Sequence, residues 1–575
     1  MSGHPHHQHE PVRLLPPMRT YAPTEEVDFV IVGSGAAGGV MARELSRNGF
    51  SVVVLEQGPF LTERDFSHDP FWGDLHPDKA LTNNRKDQPG TSRKTDKDEA
   101  KLSGWNNYGR VVGGGSVHFT ANYWRFPELE FEQATRFGVP DDSTIADWPI
   151  RYADLEPYYT KVEWDIGVSG LAGNPFEPPR TKPFPLPPLP IKSEGVLLER
   201  GANKLGMHPW PAPMAILSRP YRGRSGCVAC GICIGNACEV RAKSSSLVTM
   251  IPEAVATGRC EIRTLSYVRK VETNAGGRVT GVTYFDRNKK EVVQRAKAVV
   301  LSANGCETPK LLLMSATSAF PDGLANSSGQ VGRNIMFNGS ALRRGLFEHE
   351  VNGWKGAVVS RVVWDTYEMP ASLGLYGGGG FDFRCGYDPL SGGATWPGEP
   401  TWGSAWKKRA RLLHEIAHGV RAHEQPAHAE QPHGSRSEGE GRVGLASTSP
   451  NVHGPSERLQ ARRVVRETWR GAAEGRRCLE RRRRVRRPRR RWPPPPRHVS
   501  HGEGPAHVGG ERGSSRARCA QPVHRGWQQF RHIGAWSADD DDPGARVSCF
   551  GSHNGAGQGK GAVTHGLQVT GTGYR

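Results

Sequence analysis

The chain has 575 residues, with 76 Lys+Arg against 58 Asp+Glu and a formal net charge of +18, a balance that by itself points to an anionic partner. The charge is not spread evenly: Met1–Trp406 holds 44 basic and 43 acidic side chains, so nearly all the excess lies between Lys407 and Arg575. That excludes a uniformly basic nucleic-acid-binding surface for the first part of the chain, and no run approaches the roughly 20 apolar residues of a membrane-spanning helix.

Residues 1–26 carry His4, His6, His7 and His9 and read as a solvated tail. No apolar run of signal-peptide length follows them, so a cytoplasmic location is expected, with export on a partner subunit as the alternative. The first structured signal is the β-branched run from Asp28 to Val32, which leads into Gly33-Ser34-Gly35-Ala36-Ala37-Gly38. A helical pattern follows at Met41–Leu45, then a second apolar run, Val52–Leu55, that ends in Glu56. This strand–turn–helix–strand order is what a dinucleotide site requires. Gly33 allows the tight turn, Gly35 lets a pyrophosphate approach the backbone, and Gly38 lets the helix pack on the sheet. The helix N-terminus presents free amides to the phosphates, and Glu56 stands where a carboxylate can hold a ribose hydroxyl pair.

Thr62–Ser103 is polar and reads as excursion loops. Gly109–His118 contains Gly113-Gly114-Gly115-Ser116, dense enough in glycine for backbone amides to form an anion-binding nest. Pro175–Pro190 is proline-rich and suits a linker or a lid. From Arg259 to Ala303 the pattern alternates like a meander, with turns at Asn274–Gly277 and Asp286–Asn288, and feeds a buried strand. A helix is expected over Thr308–Ser315, with Leu311, Leu312, Leu313 and Met314 as core.

Taken together, the Gly33/Gly35/Gly38 turn with Glu56, the Gly113–Ser116 loop, Ala298–Leu312 and Asn326–Asn334 resemble the glucose–methanol–choline (GMC) family of FAD-dependent oxidoreductases. The resemblance runs from about Val27 to about Trp406. It implies an α/β fold: an FAD-binding, Rossmann-like domain of the glutathione-reductase type, plus a substrate domain on an antiparallel sheet. It implies that Gly33, Ser34, Gly35, Ala36, Ala37, Gly38 and Glu56 hold the ADP half of FAD. By the same resemblance, Gly113, Gly114, Gly115 and Ser116 lie along the pyrophosphate and flavin ring, Val268 offers backbone to the adenine, and Gly305 sits close to the dinucleotide. His118 and Phe119 depart from the family pattern and are expected to pack structurally.

Cys227, Cys230, Cys233 and Cys238 fall within twelve residues and include four of the ten cysteines. The spacing is open to an iron–sulfur cluster, a four-thiolate zinc site, or free thiols and a redox disulfide. Some GMC dehydrogenases that pass electrons to a cytochrome partner carry an iron–sulfur cluster in such a region.

The last third lacks the family's closing elements: its His-containing segment, its Gly-Thr-x-x-Met-Gly motif and the partner of that His. Instead it carries the Arg-rich run Arg481–Trp492 followed by four prolines. Leu, Ile, Val and Phe make up only roughly one residue in eight there, too few for a core. His524–Pro543 admits a coding that, read one base later, spells Asp-Gly-Ser and Pro-Thr-x-Thr-Ile, and Arg497–Gly504 admits a shifted Gly-Thr-Ser-His-Met-Gly. The expectation is therefore a frameshift near Lys407–His414, the alternative being a genuine basic tail that binds nucleic acid.

The expected organisation is a disordered tail over 1–26, an FAD-binding domain over 27–340, part of a substrate domain over 341–406, and an aberrant, largely disordered tail over 407–575. The expected function is FAD-dependent oxidation of a CH–OH group in an alcohol, polyol or sugar-like substrate, with electrons passed to a non-oxygen acceptor such as a cytochrome subunit. An inactive FAD-binding remnant is the alternative. The catalytic residues are not assignable in this frame.

Overall fold

The computed structural model describes residues 18–66, 90–92, 99, 101–103, 109–140, 143–335, 339–353, 355–369, 372, 377–384, 402–410 and 416–423. Its strands are β1 (Val27–Val32), β2 (Val52–Leu55), β3 (Gly90–Ser92), β4 (Lys101–Ser103), β5 (Pro209–Pro211), β6 (Cys260–Arg263), β7 (Tyr267–Thr273), β8 (Val279–Phe285), β9 (Glu291–Leu301), β10 (Gly339–Leu346), β11 (Val359–Val363), β12 (Phe381–Arg384) and β13 (Ile416–His423). Its α-helices are α1 (Ala36–Arg47), α2 (Gln133–Phe137), α3 (Tyr152–Ile166), α4 (Ser193–Lys204), α5 (Met250–Ala256), α6 (Asn304–Met314) and α7 (Gly403–Ala410).

The first sheet has the order β6-β2-β1-β9-β8-β7. β6, β2, β1 and the end of β9 run parallel, while β9, β8 and β7 form the antiparallel meander expected from the turn residues. β2 is buried on both faces, as a parallel strand between helical layers must be. Ile31, Val52 and Val54 face Ala42 of α1 and Ile251, Ala254 and Val255 of α5. Val30, Val32, Val53 and Leu55 face the other way, toward Tyr284 and Leu311. Ile31 and Leu55 are almost wholly buried, and each such side chain contributes about 1.5–3 kcal/mol.

The second sheet is antiparallel, in the order β10-β13-β12-β11-β5. Val363, Phe381 and Phe383 pack on Leu198 and Ala202 of α4. Val358, Val359, Val362 and Trp364 pack toward the first sheet's layers, against Met214, Ile216, Ile166 and Met250. The mixed α/β class and the antiparallel second sheet are as expected. α7 and β13 carry described structure across residue 406, the expected end of the substrate domain, and β13 pairs on both sides with β10 and β12. The remainder of the tail expected over 407–575, beyond His423 and with its Arg-rich run, lies outside the described residues, as do residues 1–17 of the tail expected over 1–26. The end of that first tail is packed, not disordered: Tyr21 is buried, its N–H donating to Glu261 Oε2 at 2.8 Å and its hydroxyl to Arg259 O at 2.9 Å.

Two local expectations are revised. Pro175–Pro190 is not a free linker: Tyr152 donates to Pro179 O at 2.7 Å, Arg180 pairs with Glu163 at 2.7 Å, and Phe184, Leu186 and Leu189 are buried. Proline fixes the backbone so that this strap lies along α3 at little entropic cost. The helix expected at Thr308 starts at Asn304, whose Oδ1 accepts the N–H groups of Cys306 and Glu307 at 2.9 Å each and so satisfies first-turn donors. Asn304 has φ +75°, a left-handed conformation that asparagine tolerates better than most residues.

Candidate functional site

A cleft opens at the carboxyl ends of β1, β2 and β9, lined among others by Gly33–Ala37, Glu56, Gly114, Gly115, Val268, Asn304 and Lys310. Ligands of parallel sheets bind at this edge. Gly33 has φ +93°, and a Cβ there would collide with Ser302 O. A Cβ on Gly38 would collide with Gly33 O, so α1 can approach β1 only because both positions are glycine. Gly35 differs: a Cβ there meets nothing within 4 Å, because its open side faces the cleft. It is the residue at the head of α1, with no side chain capping the helix, so the first amides and the positive end of the helix dipole remain available to an anion.

Ser34 ties the two glycine loops together. Its hydroxyl donates to Glu56 Oε2 at 2.6 Å and accepts the Gly113 N–H at 3.0 Å, while its own N–H donates to Glu56 Oε2 at 3.0 Å. The Gly58 N–H takes Glu56 Oε1 at 2.9 Å. Burial pushes the Glu56 carboxyl up from its usual range, against the hydrogen bonds from Ser34 and Gly58 that favour its charge. Glu56 thus staples the loop as well as lining the cleft. Ser116 Oγ donates to Gly113 O at 2.7 Å and accepts the Ser246 N–H at 3.2 Å. A Cβ on Gly114 would lie 2.9 Å from Gly35 Cα, so the second loop, too, needs glycine to close on the first.

Gly33, Ser34, Gly35, Ala36, Ala37, Glu56, Gly114, Gly115 and Val268 all line the cleft. Gly38, Gly113, Ser116 and Gly305 do not line it: the first three shape its walls from behind, and the wall near Gly305 is made by Asn304, Glu307 and Lys310. Leu311 is core as expected but also lines the cleft with Met314. Lys310 was not foreseen: it bonds Glu307 at 2.6 Å, and although burial pulls its pKa down, Glu307 and Tyr267 together outweigh that and leave it raised. The pairing of positions i and i+3 on α6 was the sequence signal for it.

The four clustered cysteines lie near one another, and Cys227 and Cys233 each feel the charge of neighbouring cysteines. Among the described residues, no group of three or more His, Cys, Asp or Glu side chains stands in a metal-holding arrangement. Cys227, Cys230, Cys233 and Cys238 are free, and Cys227, Cys233 and Cys238 pack against the apolar cluster between the sheets. Burial pushes the Cys233 thiol up to about 12. The loop closes on Lys243 instead, whose ammonium donates to Phe119 O at 2.9 Å, Cys233 O at 3.1 Å and Asn236 O at 2.5 Å. Of the three alternatives that the spacing left open, these contacts are those of free thiols and lend no support to an iron–sulfur or zinc site. Among the described residues, no helix is long and apolar enough to cross a membrane.

The sequence profile described as GMC oxidoreductase matches residues 27–338. The chain is 33% identical over 345 residues to 2-methyl-1,2-propanediol dehydrogenase of Mycolicibacterium austroafricanum, covering 58% of this chain and 59% of that protein. It is 31% identical over 432 residues to the gluconate 2-dehydrogenase flavoprotein of Pantoea cypripedii, covering 67% and 68%. Among solved structures, pyridoxine 4-oxidase from Mesorbium loti aligns with a TM-score of 0.51 at 18% identity, over 77% of this chain and 79% of that one, a likeness of fold. The match in sequence over the whole first sheet, together with the glycine-built cleft, settles the family: the chain belongs to the GMC oxidoreductases.

Proposed function

We propose that the cleft holds FAD and that the protein of this family oxidises a CH–OH group of a small alcohol, polyol or sugar-like substrate. The observation that carries the reading is the open face of Gly35 at the head of α1, between two glycine loops locked by Ser34 and Glu56. The donor set suits a dinucleotide: backbone amides at the helix start for a pyrophosphate, a buried carboxylate at the end of β2, and the Val268 backbone beside the cleft. When bound there, FAD supplies a hydride acceptor. The chain's own part is to bind and orient: Gly33 and Gly38 fix the helix against the sheet, Gly114 brings the second loop onto Gly35, and Lys310 with Glu307 closes the wall.

The names of the gluconate dehydrogenase flavoprotein and of the fructose dehydrogenase large subunit of Gluconobacter japonicus favour a dehydrogenase that hands electrons to a partner subunit, a cytochrome in our reading. We also propose that the reading frame changes near Lys407–His414, ahead of the Arg-rich run. The charge break, the loss of apolar residues and the missing closing motifs support this. Resequencing codons 400 to 420 tests it: removal of one base, or addition of two, restores the family's closing motifs and turnover with an artificial acceptor, whereas an unaltered frame with alcohol oxidation by the literal chain refutes it.

The cofactor reading is tested by Gly35→Ala in the full-length chain. The methyl has room in the fold, so the unfolding midpoint stays put while the flavin content of the purified protein falls. Unchanged flavin content removes this cleft from the argument.

A further inference from the structure

Beside the cofactor cleft a second, smaller cavity opens as a crevice between α1 and α3, lined among others by Ala36, Val40, Phe119, Val162, Ile166 and Met250. It adjoins the cleft at two points. Ala36, the first residue of α1, lines both spaces, and Ser116 lines the crevice while its neighbour Gly115 lines the cleft. Val40 and Arg43 stand three apart on α1, as do Val162 and Asp165 on α3, a spacing that puts each valine and its charged neighbour on one helix face. Arg43 Nη2 meets Asp165 Oδ2 at 2.5 Å, the arginine being almost wholly buried, and Lys161 Nζ of α3 meets Glu44 Oε2 of α1 at 2.7 Å. The two ion pairs pin the helices about one turn from the valines and fix the width of the crevice.

Five serine and threonine side chains also line this space, yet they do not make it polar. Ser116 Oγ donates to Gly113 O at 2.7 Å, Ser244 Oγ to Ile166 O at 2.8 Å, Ser246 Oγ to Ser34 O at 3.0 Å and Thr249 Oγ1 to Ser245 O at 2.7 Å. These hydroxyl hydrogens are committed to the backbone. The remaining surface is that of the apolar cluster between the sheets, to which Phe119, Ile166 and Met250 belong and on which Val40 and Val162 pack. Close-packed cores leave few voids larger than a water molecule, and an apolar void stays dry and takes apolar guests. An ion or a hydrogen-bonding substrate finds the donors already engaged. The occupant is therefore apolar, and the pinned helices keep it small. Among small apolar molecules, dioxygen is the one with chemistry to offer a neighbouring redox cofactor.

We propose that the crevice between α1 and α3 is a dioxygen site, from which the gas reaches the cofactor cleft past Ala36 and not only through the cleft's open mouth. The binding site stands on the side chains alone. Its use rests on the reading of the cleft as the FAD site.

Dioxygen itself is the probe, because it is paramagnetic and speeds the relaxation of methyl groups that it touches. Methyl relaxation is compared under oxygen and under nitrogen in the methyl-labelled full-length chain. The methyls of Val162, Ile166 and Met250 show a larger oxygen effect than those of Val53 and Val282, which are as deeply buried in the other apolar layer. Val40→Phe fills the crevice from α1 and abolishes the excess, and Val162→Phe does so from α3 at Ile166 and Met250, so one misfolded variant does not leave the question open. No excess in the wild type, or an excess that survives both substitutions, overturns the site. An excess seen in flavin-free chain and lost in flavin-loaded chain overturns it too, since the cofactor then fills the crevice. Absence of bound flavin counts against the cofactor reading alone, because the comparison of methyls does not need it.

Discussion

Two neighbouring stretches handle buried polarity in opposite ways. Arg125 is almost wholly buried, and its donors are all taken: Glu163 at 2.8 Å twice, Glu156 at 3.0 Å, Tyr152 at 2.9 Å and Thr160 at 2.9 Å. Trp124, one residue earlier, leaves its N–H without a partner among the described residues. The same contrast separates two buried carboxylates. Glu56 at the cleft accepts three hydrogen bonds, whereas Glu194 at the start of α4, fully buried, has the Lys192 ammonium at 3.0 Å and otherwise burial that pushes its pKa up to about 7. A closed network stabilises a scaffold, while an open polar group either waits for a ligand or costs stability. Which of the two applies has to be decided residue by residue.

The closed network is the harder to disturb without loss. Arg125→Met removes the partner of two carboxylates, of which Glu163 is almost wholly buried and keeps, among the described residues, only Arg180. Breaking a buried pair from one side costs about 3–5 kcal/mol. Urea unfolding should show a loss of that size, and a loss below about 1 kcal/mol would mean that the network is as screened as a surface ion pair.

At the cleft, the two glycines of one turn should separate fold from ligand. Gly33→Ala forces a left-handed alanine against Ser302 O, so it should lose on the order of 1–3 kcal/mol of stability as well as flavin. Gly35→Ala should lose flavin alone. Equal stability losses in the two variants would show that Gly35, too, is there for packing.

This separation was partly legible in the sequence. The Gly33–Gly38 spacing, the β-branched runs and the Asn274–Gly277 turn are local signals, and local chemistry fixed β1, α1, β2 and the β7–β9 meander. Asn304 hid the start of α6, because its left-handed φ looks like a break until its side chain is seen to cap the turn. The role of Pro175–Pro190 depends on Tyr152 and Arg180 reaching it, which composition does not reveal. The Cys227–Cys238 spacing left a metal and free thiols both open, and it could not show that Lys243 and the apolar layer beneath shape the loop.

Glu194 gives a pH-dependent version of the comparison. Its folded pKa is raised from 4.5 to about 7, so the native state holds the proton more tightly than the unfolded chain does. The stability it leaves intact is fully present below pH about 4.5, falls as pH rises through the window up to about 7, and is flat beyond it. The fall is worth at most about 3 kcal/mol. Glu194→Gln cannot ionise, so urea midpoints at pH 5 and pH 8 should lie closer together in the variant than in the wild type. An identical pH dependence would show that Lys192 already neutralises the cost.

The smallest effect concerns the thiols, where the issue is reactivity and not stability. Cys260 is wholly buried on β6 and, like Cys233, has its thiol pushed up to about 12 by burial. The nearest cation to Cys233, Lys243, already donates to three carbonyls. The thiolate is the reactive form, and nothing at either site favours it enough to overcome burial. In the native chain at pH about 7.5, iodoacetamide should therefore leave Cys233 and Cys260 unmodified, and mass mapping after urea should find both labelled. Rapid native labelling of Cys233 would show that the loop opens. Iron with acid-labile sulfide in anaerobically purified protein would show that Cys227, Cys230, Cys233 and Cys238 close around a cluster, contrary to the packing of Cys227, Cys233 and Cys238 against the apolar layer.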